Sequence, residues 1–202
     1  MSNAEHPLRC QCGTVQGFVK ISNALSRGVC YCKDCQMYAH FLGKRAEVLD
    51  EHGGTDVVPT MPRNARFTQG IGSLACMRLT EKGLMRWYAK CCNTPICNTS
   101  PNFKVPFVGL VHNCLENGGV SLDQSFGPVR MRVNTKDALG GAKIKQQGIF
   151  GTVVKFIRML LRERFNGGYK LTPFYSVDSG TPIVVPHVLS KQEWQALRSR
   201  LG

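Results

Sequence analysis

Three cysteines in the run Cys30-Tyr31-Cys32-Lys33-Asp34-Cys35 could converge on one metal ion, because thiolate sulfur suits zinc and zinc takes four tetrahedral donors. Three protein ligands leave one position open. That is the arrangement of a catalytic or ligand-exchanging centre, in which water or a substrate thiolate completes the shell. Cys30, Cys32 and Cys35 are therefore the candidate catalytic residues as well as candidate ligands. Two further groups flank them, Cys10 and Cys12 upstream and Cys91, Cys92 and Cys97 downstream. The spacings C-x-C, C-x-C-x-x-C and C-C-x-x-x-x-C suit metal ligation better than a disulfide ladder, since cysteines this close seldom meet disulfide geometry. Cys10 and Cys12, with Cys92 and either Cys91 or Cys97, would close a structural site.

The elements that must position these thiols follow from the flanking residues. Gly13 after Cys12 and Asn93 after Cys92 suit the left-handed backbone of a metal knuckle. Residues 36–42 after the middle cluster read as a short helix stopped by Gly43. Its N-terminal dipole and free N–H groups would then stabilise the Cys32 and Cys35 thiolates. His40 lies within reach of that cluster, although a packed or solvent-facing histidine is the commoner case. Cys76, alone in a strand-like run, reads as a buried core thiol, and Cys114 as chemically silent.

Short strands are expected around residues 15–21, 47–49, 53–58, 65–68, 74–79, 83–89, 128–133 and 182–186, separated by glycine- and proline-marked turns. Residues 149–165 place Phe150, Val153, Val154, Ile157, Leu160 and Leu161 at helical spacing, with packing against the chain's own domain the expected use of that stripe. Ser190 and Glu193 form a capping box for a terminal helix. The fold class is mainly β: a zinc-stapled sheet of short antiparallel strands, with a basic amphipathic helix and a terminal helix appended. Residues 1–135 are expected to form the zinc-binding β domain. Residues 136–202 would form a helical extension with a returning strand.

The 202 residues can bury a core without disulfides. No N-terminal stretch is of signal-peptide type, which places the expected reduced thiols in a cytoplasm. The net charge of +13 is uneven: residues 61–110 carry seven basic and one acidic side chain, and residues 136–170 carry eight and two. Such excess can attract nucleic acid, an acidic membrane face or an anionic small molecule.

In order, Cys10-Gln11-Cys12-Gly13, then Cys30-Tyr31-Cys32-Lys33-Asp34-Cys35, then Arg86 ahead of Cys92-Asn93-Thr94-Pro95 resemble the glutathione-dependent formaldehyde-activating enzymes and their centromere-protein-V-like relatives. The likeness spans roughly residues 8–110. It implies a β-rich zinc fold, a structural zinc on the outer pairs and a catalytic zinc on Cys30, Cys32 and Cys35. The implied activity is addition of the glutathione thiol to formaldehyde, a carbon–sulfur lyase reaction in the reverse sense. A small thiol such as glutathione is then the partner. The alternative is a non-catalytic zinc module that holds nucleic acid or an anionic surface through its basic segments, with peripheral membrane contact through residues 149–165.

Overall fold

A computed structural model of the chain describes residues 4–21, 25–117 and 119–201. In chain order its first elements are β1 (Glu5–Arg9), β2 (Gln16–Lys20), β3 (Gly28–Cys30), α1 (Lys33–Phe41), α2 (Arg45–Val48) and β4 (Thr55–Thr60). β5 (Ala65–Gln69), β6 (Leu74–Arg78), β7 (Met85–Ala89), β8 (Thr94–Thr99) and β9 (Val108–Val111) complete the central strands. Then come α3 (Asn113–Glu116), α4 (Leu122–Phe126), β10 (Met131–Val133), α5 (Ile149–Phe165), β11 (His187–Val188) and α6 (Lys191–Arg198). The fold is mainly β. The described strands make a three-stranded sheet, β1-β2-β5, and an eight-stranded one, β10-β3-β4-β9-β8-β7-β6-β11. Pairing is antiparallel except at the two edges, where β10 joins β3 and β11 joins β6 in parallel.

Alternation along β7 divides the large sheet into two faces. Trp87, opposite Cys76, points into the main core with Ile96, Leu110 and Phe174. Arg86 and Tyr88 point the other way, toward α1 and α6, where Met37, Tyr38, Leu42, Met77 and Leu197 pack. The small sheet is tied in by His6, fully buried, whose ring nitrogens bond the Ser125 hydroxyl at 2.8 Å and the Leu115 carbonyl at 3.1 Å. Burial lowers the pKa of that imidazole, against the opposing pull of the Leu115 carbonyl. The chain after residue 136 contributes β11 to the sheet, Phe174 and Tyr175 to the main core, and α6, whose capping box forms as the sequence predicts.

Three local expectations differ. Residues 47–49 lie at the end of α2, a single turn after Gly43, where Val48 packs against Ala39 and Val111. Three apolar-rich residues carry too little periodicity to separate a strand from a helix turn. Pro182 and Pro186 withhold N–H groups from the expected 182–186 strand, and regular pairing falls on His187 and Val188 instead. Most of the apolar stripe of α5 does not pack against the domain: Phe150, Val154, Ile157 and Leu161 are exposed, while Val153 borders a cleft and Leu160 is half-buried.

Candidate metal centres

The hairpin leading out of β1 and the turn leading out of β7 bring Cys10, Cys12, Cys91 and Cys92 together, with all four Sγ atoms within 4.8 Å of one another. Cys10 Sγ lies 3.6 Å from that of Cys12 and 3.9 Å from that of Cys91; Cys12–Cys91 is 3.3 Å and Cys91–Cys92 is 3.9 Å. A tetrahedral ion with metal–sulfur bonds of about 2.3 Å needs sulfurs about 3.8 Å apart. The donor set therefore fits such an ion. Both turns use the same local device: Gly13 (φ 79°) and Asn93 (φ 53°) adopt the left-handed conformation. Each thereby sets the next threonine hydroxyl on the preceding thiol, Thr14 at 3.2 Å from Cys12 and Thr94 at 3.1 Å from Cys92. The Val15 N–H also donates to Cys10 Sγ at 3.2 Å. The Thr14 hydroxyl and then its N–H hold the Cys12 thiol down at about 6.

Cys30 ends β3, Cys32 caps α1, and Cys35 lies in the first turn of that helix; their sulfurs also fall within 4.8 Å of one another. Hydrogen bonds from Cys32 first and Cys35 next hold the Cys30 thiol down at about 2, and sharing with Cys30 pushes Cys35 up to about 11. Thiols this close titrate as one group, and the same three sulfurs could share a metal ion. β10, pairing Val133 with Cys30, delivers Asn134, whose side-chain amide donates to Cys30 Sγ at 3.4 Å.

The three thiols line one wall of a cleft of about 490 Å³. Its floor is a cross-strand row, Arg86–Asn98–Gly109–Pro59. Its roof is the inner face of α5, through Thr152, Val153 and Phe156. Arg86 is 2 % exposed. Its guanidinium stands 3.9 Å from Cys35 Sγ, donates to Asn98 Oδ1 at 3.3 Å, lies 3.8 Å from Asp34 Oδ2 and stacks over Tyr38 at 5.3 Å. A buried cation of this kind is stable only beside negative charge, and both the Asp34 carboxylate and the sulfur cluster, through Cys35, lie within 4 Å of it.

A family model describing a family of unknown function, DUF6151, matches residues 1–182. The chain belongs to that family. No curated protein matches it. A crystal structure of a Rhodobacter sphaeroides protein is similar over 61 % of this chain and 96 % of that one, at 17 % identity and a TM-score of 0.42.

In this DUF6151 member the thiols of Cys10, Cys12, Cys91 and Cys92 converge, as do those of Cys30, Cys32 and Cys35. Cys97, the other candidate for the fourth outer donor, stands opposite Trp87 in β8 and is fully buried in the core. The adjacent Cys91 and Cys92 both face the cluster because the left-handed Asn93 turns the chain directly after them. His40 sits in the last turn of α1 with Arg45 and Arg200 as its charged neighbours, and it does not line the cleft. Cys76 and Cys114 are buried; burial pushes Cys76 up to about 12, and the Cys114 thiol donates to the Val111 and Ile96 carbonyls. Sequence reasoning missed Asn98, Asn134 and the α5 roof. Only Asn134 carried a signal, as a left-handed-tolerant residue closing a strand (φ 56°).

Proposed function

We propose that this protein holds two zinc ions with different tasks. Cys10, Cys12, Cys91 and Cys92 would bind one as a staple. Cys30, Cys32 and Cys35 would bind the other, leaving a position toward the cleft for a thiol substrate. The observation that carries this reading is the contrast of donor sets: four convergent thiols joining strand ends, against three on the wall of an open cleft beside a buried cation. Charge supports it too. Three thiolates around a divalent ion carry one net negative charge, which the Arg86 guanidinium offsets.

Zinc at the cleft would supply a Lewis-acid position that favours a bound thiol as its thiolate near neutral pH. The chain's own groups do the rest. Arg86, held by Asn98 and Tyr38, fixes a positive charge against Cys35, and Asn134 orients Cys30. The apolar walls keep water from the reacting sulfur, which strengthens these electrostatic contacts. The reaction this suits is the one implied by the likeness to formaldehyde-activating enzymes. The thiol sulfur bonds to the carbonyl carbon, the carbon–oxygen double bond becomes single, and the proton lost from sulfur ends on that oxygen. The shared order of cysteine groups and the position of Arg86 support it; the family match itself names no activity.

Metal analysis tests the first half. Purified protein should carry two zinc ions per chain, falling to one in Cys12→Ser and to one in Cys30→Ser; a single ion in the unaltered protein removes the cleft centre. Exchange spectroscopy by NMR tests the second. Zinc-loaded protein should accelerate thiohemiacetal exchange between a thiol and formaldehyde relative to buffer, and an unchanged rate would sink the enzymatic half.

A further inference from the structure

We infer that the cleft selects an apolar thiol, aliphatic or aromatic, over a zwitterionic peptide thiol such as glutathione. This rests on the three-thiol set being a metal centre with an open position. At about 490 Å³ the cleft is of small-ligand size, and apart from the sulfurs it is bounded mainly by Val29, Val57, Leu84, Phe107, Met131 and Phe156. Among its described lining residues only Asp34 and Arg86 are charged. Arg86 is committed to Cys35, Asn98 and Asp34. Glutathione would bring two carboxylates and an ammonium against these walls, and burying such groups without partners is costly. A hydrocarbon-bearing thiol meets no such penalty. Gly109 leaves the floor open beneath it: a Cβ there would come within 2.9 Å of Val57 Cγ1.

The test uses the full-length protein loaded with cobalt(II) in place of zinc, since sulfur ligation gives cobalt an intense charge-transfer band. The difference spectrum between the unaltered protein and Cys30→Ser reports the cleft ion first; no difference there means the metal centre itself is misread, whatever the thiol preference. With that signal in hand, benzyl mercaptan, hexanethiol and glutathione are titrated separately. The apolar thiols should saturate the band at concentrations lower by about tenfold or more. Val153→Lys, at the half-exposed roof, should narrow that ratio by offering a carboxylate partner. Glutathione binding as tightly as the apolar thiols, or a ratio indifferent to Val153→Lys, overturns the inference.

An independent observation, which needs no metal, carries a second proposal: we propose that α5 docks on an anionic lipid surface. Its inner face is Thr152, Phe156, Met159 and Glu163. Phe156 meets Phe107 edge-on at 5.4 Å, and the buried Glu163 carboxylate pairs with Arg63 at 2.9 Å. The opposite face is a continuous apolar stripe that the described residues leave exposed: Phe150 is 85 % exposed, Val154 41 %, Ile157 50 %, Leu161 51 % and Phe165 85 %. Lys155, Arg158 and Arg162 run along one side of the stripe and Arg164 along the other, and the helix has no outward-facing acid. A helix with an apolar face bordered by cations lies in the plane of an anionic interface. Pairing with a second copy would set these cations against each other. No helix among the described residues is long and apolar enough to cross a membrane, so the contact is peripheral.

Co-sedimentation of the full chain decides it. Vesicles of equal phosphatidylserine and phosphatidylcholine should retain the protein, and salt should weaken the retention. Phosphatidylcholine alone should retain much less. Arg158→Glu with Arg162→Glu should lower the partition by more than about tenfold, and Ile157→Asp with Leu161→Asp should abolish it, with an unchanged melting midpoint certifying the fold of each. Failure to sediment with the anionic vesicles overturns the proposal. So does self-association that Leu161→Asp removes, or salt-sensitive binding to RNA that the vesicles do not displace.

Discussion

The two cysteine clusters use the same donor atom but close very different loops. The outer one joins residues about eighty positions apart, Cys10 to Cys91 and Cys12 to Cys91, and so couples the small sheet to the β7–β8 turn. A bound ion there would restrict the unfolded chain over a long loop, and the stabilisation should be correspondingly large. The cleft cluster lies within one six-residue segment at the start of α1. An ion there closes only short loops. The sheet behind it is held instead by its own core, with Trp87, Ile96 and Leu110 fully buried. The surroundings differ in kind as well. Threonine hydroxyls and exposed knuckles surround the outer thiols, whereas the cleft thiols face an apolar cavity and a buried guanidinium. A cluster the fold depends on should be kept closed. One the fold can spare is free to exchange ligands.

The largest test of that contrast is thermal. Cys92→Ser should lose at least about 3 kcal/mol, lowering the melting midpoint by roughly 10 °C, while Cys30→Ser should stay within about 3 °C of the unaltered protein. Equal losses in calorimetry would erase the distinction. Arg86→Gln should come next. It leaves the cleft thiolates without their buried counter-charge, at a cost of about 3 kcal/mol. Zinc analysis should then show the cleft ion depleted and the outer one retained; loss of both ions would mean that Arg86 supports the sheet rather than the site. A chromogenic chelator gives a kinetic version. Zinc release should be biphasic, with the fast phase missing in Cys30→Ser, and a single phase in the unaltered protein would make the clusters equivalent. The smallest effect is expected for Asn134→Ala, which removes one hydrogen bond to sulfur worth about 1 kcal/mol. It should speed the fast phase alone.

Much of the site was legible because metal ligation is written in local spacing. C-x-C-G, C-x-C-x-x-C and C-N-T each specify a turn before any tertiary contact forms, and the left-handed Gly13 and Asn93 follow from their residue types. The choice between Cys91 and Cys97 was not legible, since it depends on the turn between β7 and β8 and on which face of β8 receives Cys97. A one-residue slip in a strand exchanges its faces. By the same rule, nothing in Met85-Arg86-Trp87-Tyr88-Ala89 says that Trp87 goes to the core and Arg86 to the thiols.

By itself, then, the sequence determined the chemistry on offer: soft donors grouped for two ions, a mainly β frame, a basic helix at residues 149–165 and a capped terminal helix. These rest on interactions within a few residues. Tertiary structure alone decided that Cys91 rather than Cys97 is the fourth outer thiol, that the cleft beside the other cluster is apolar, that Asn98, Asn134 and Phe156 border it, and that most of the apolar stripe of α5 turns outward. Each of these depends on strand register or on packing between segments tens of residues apart, where free energy is set by burial and pairing rather than by local preference.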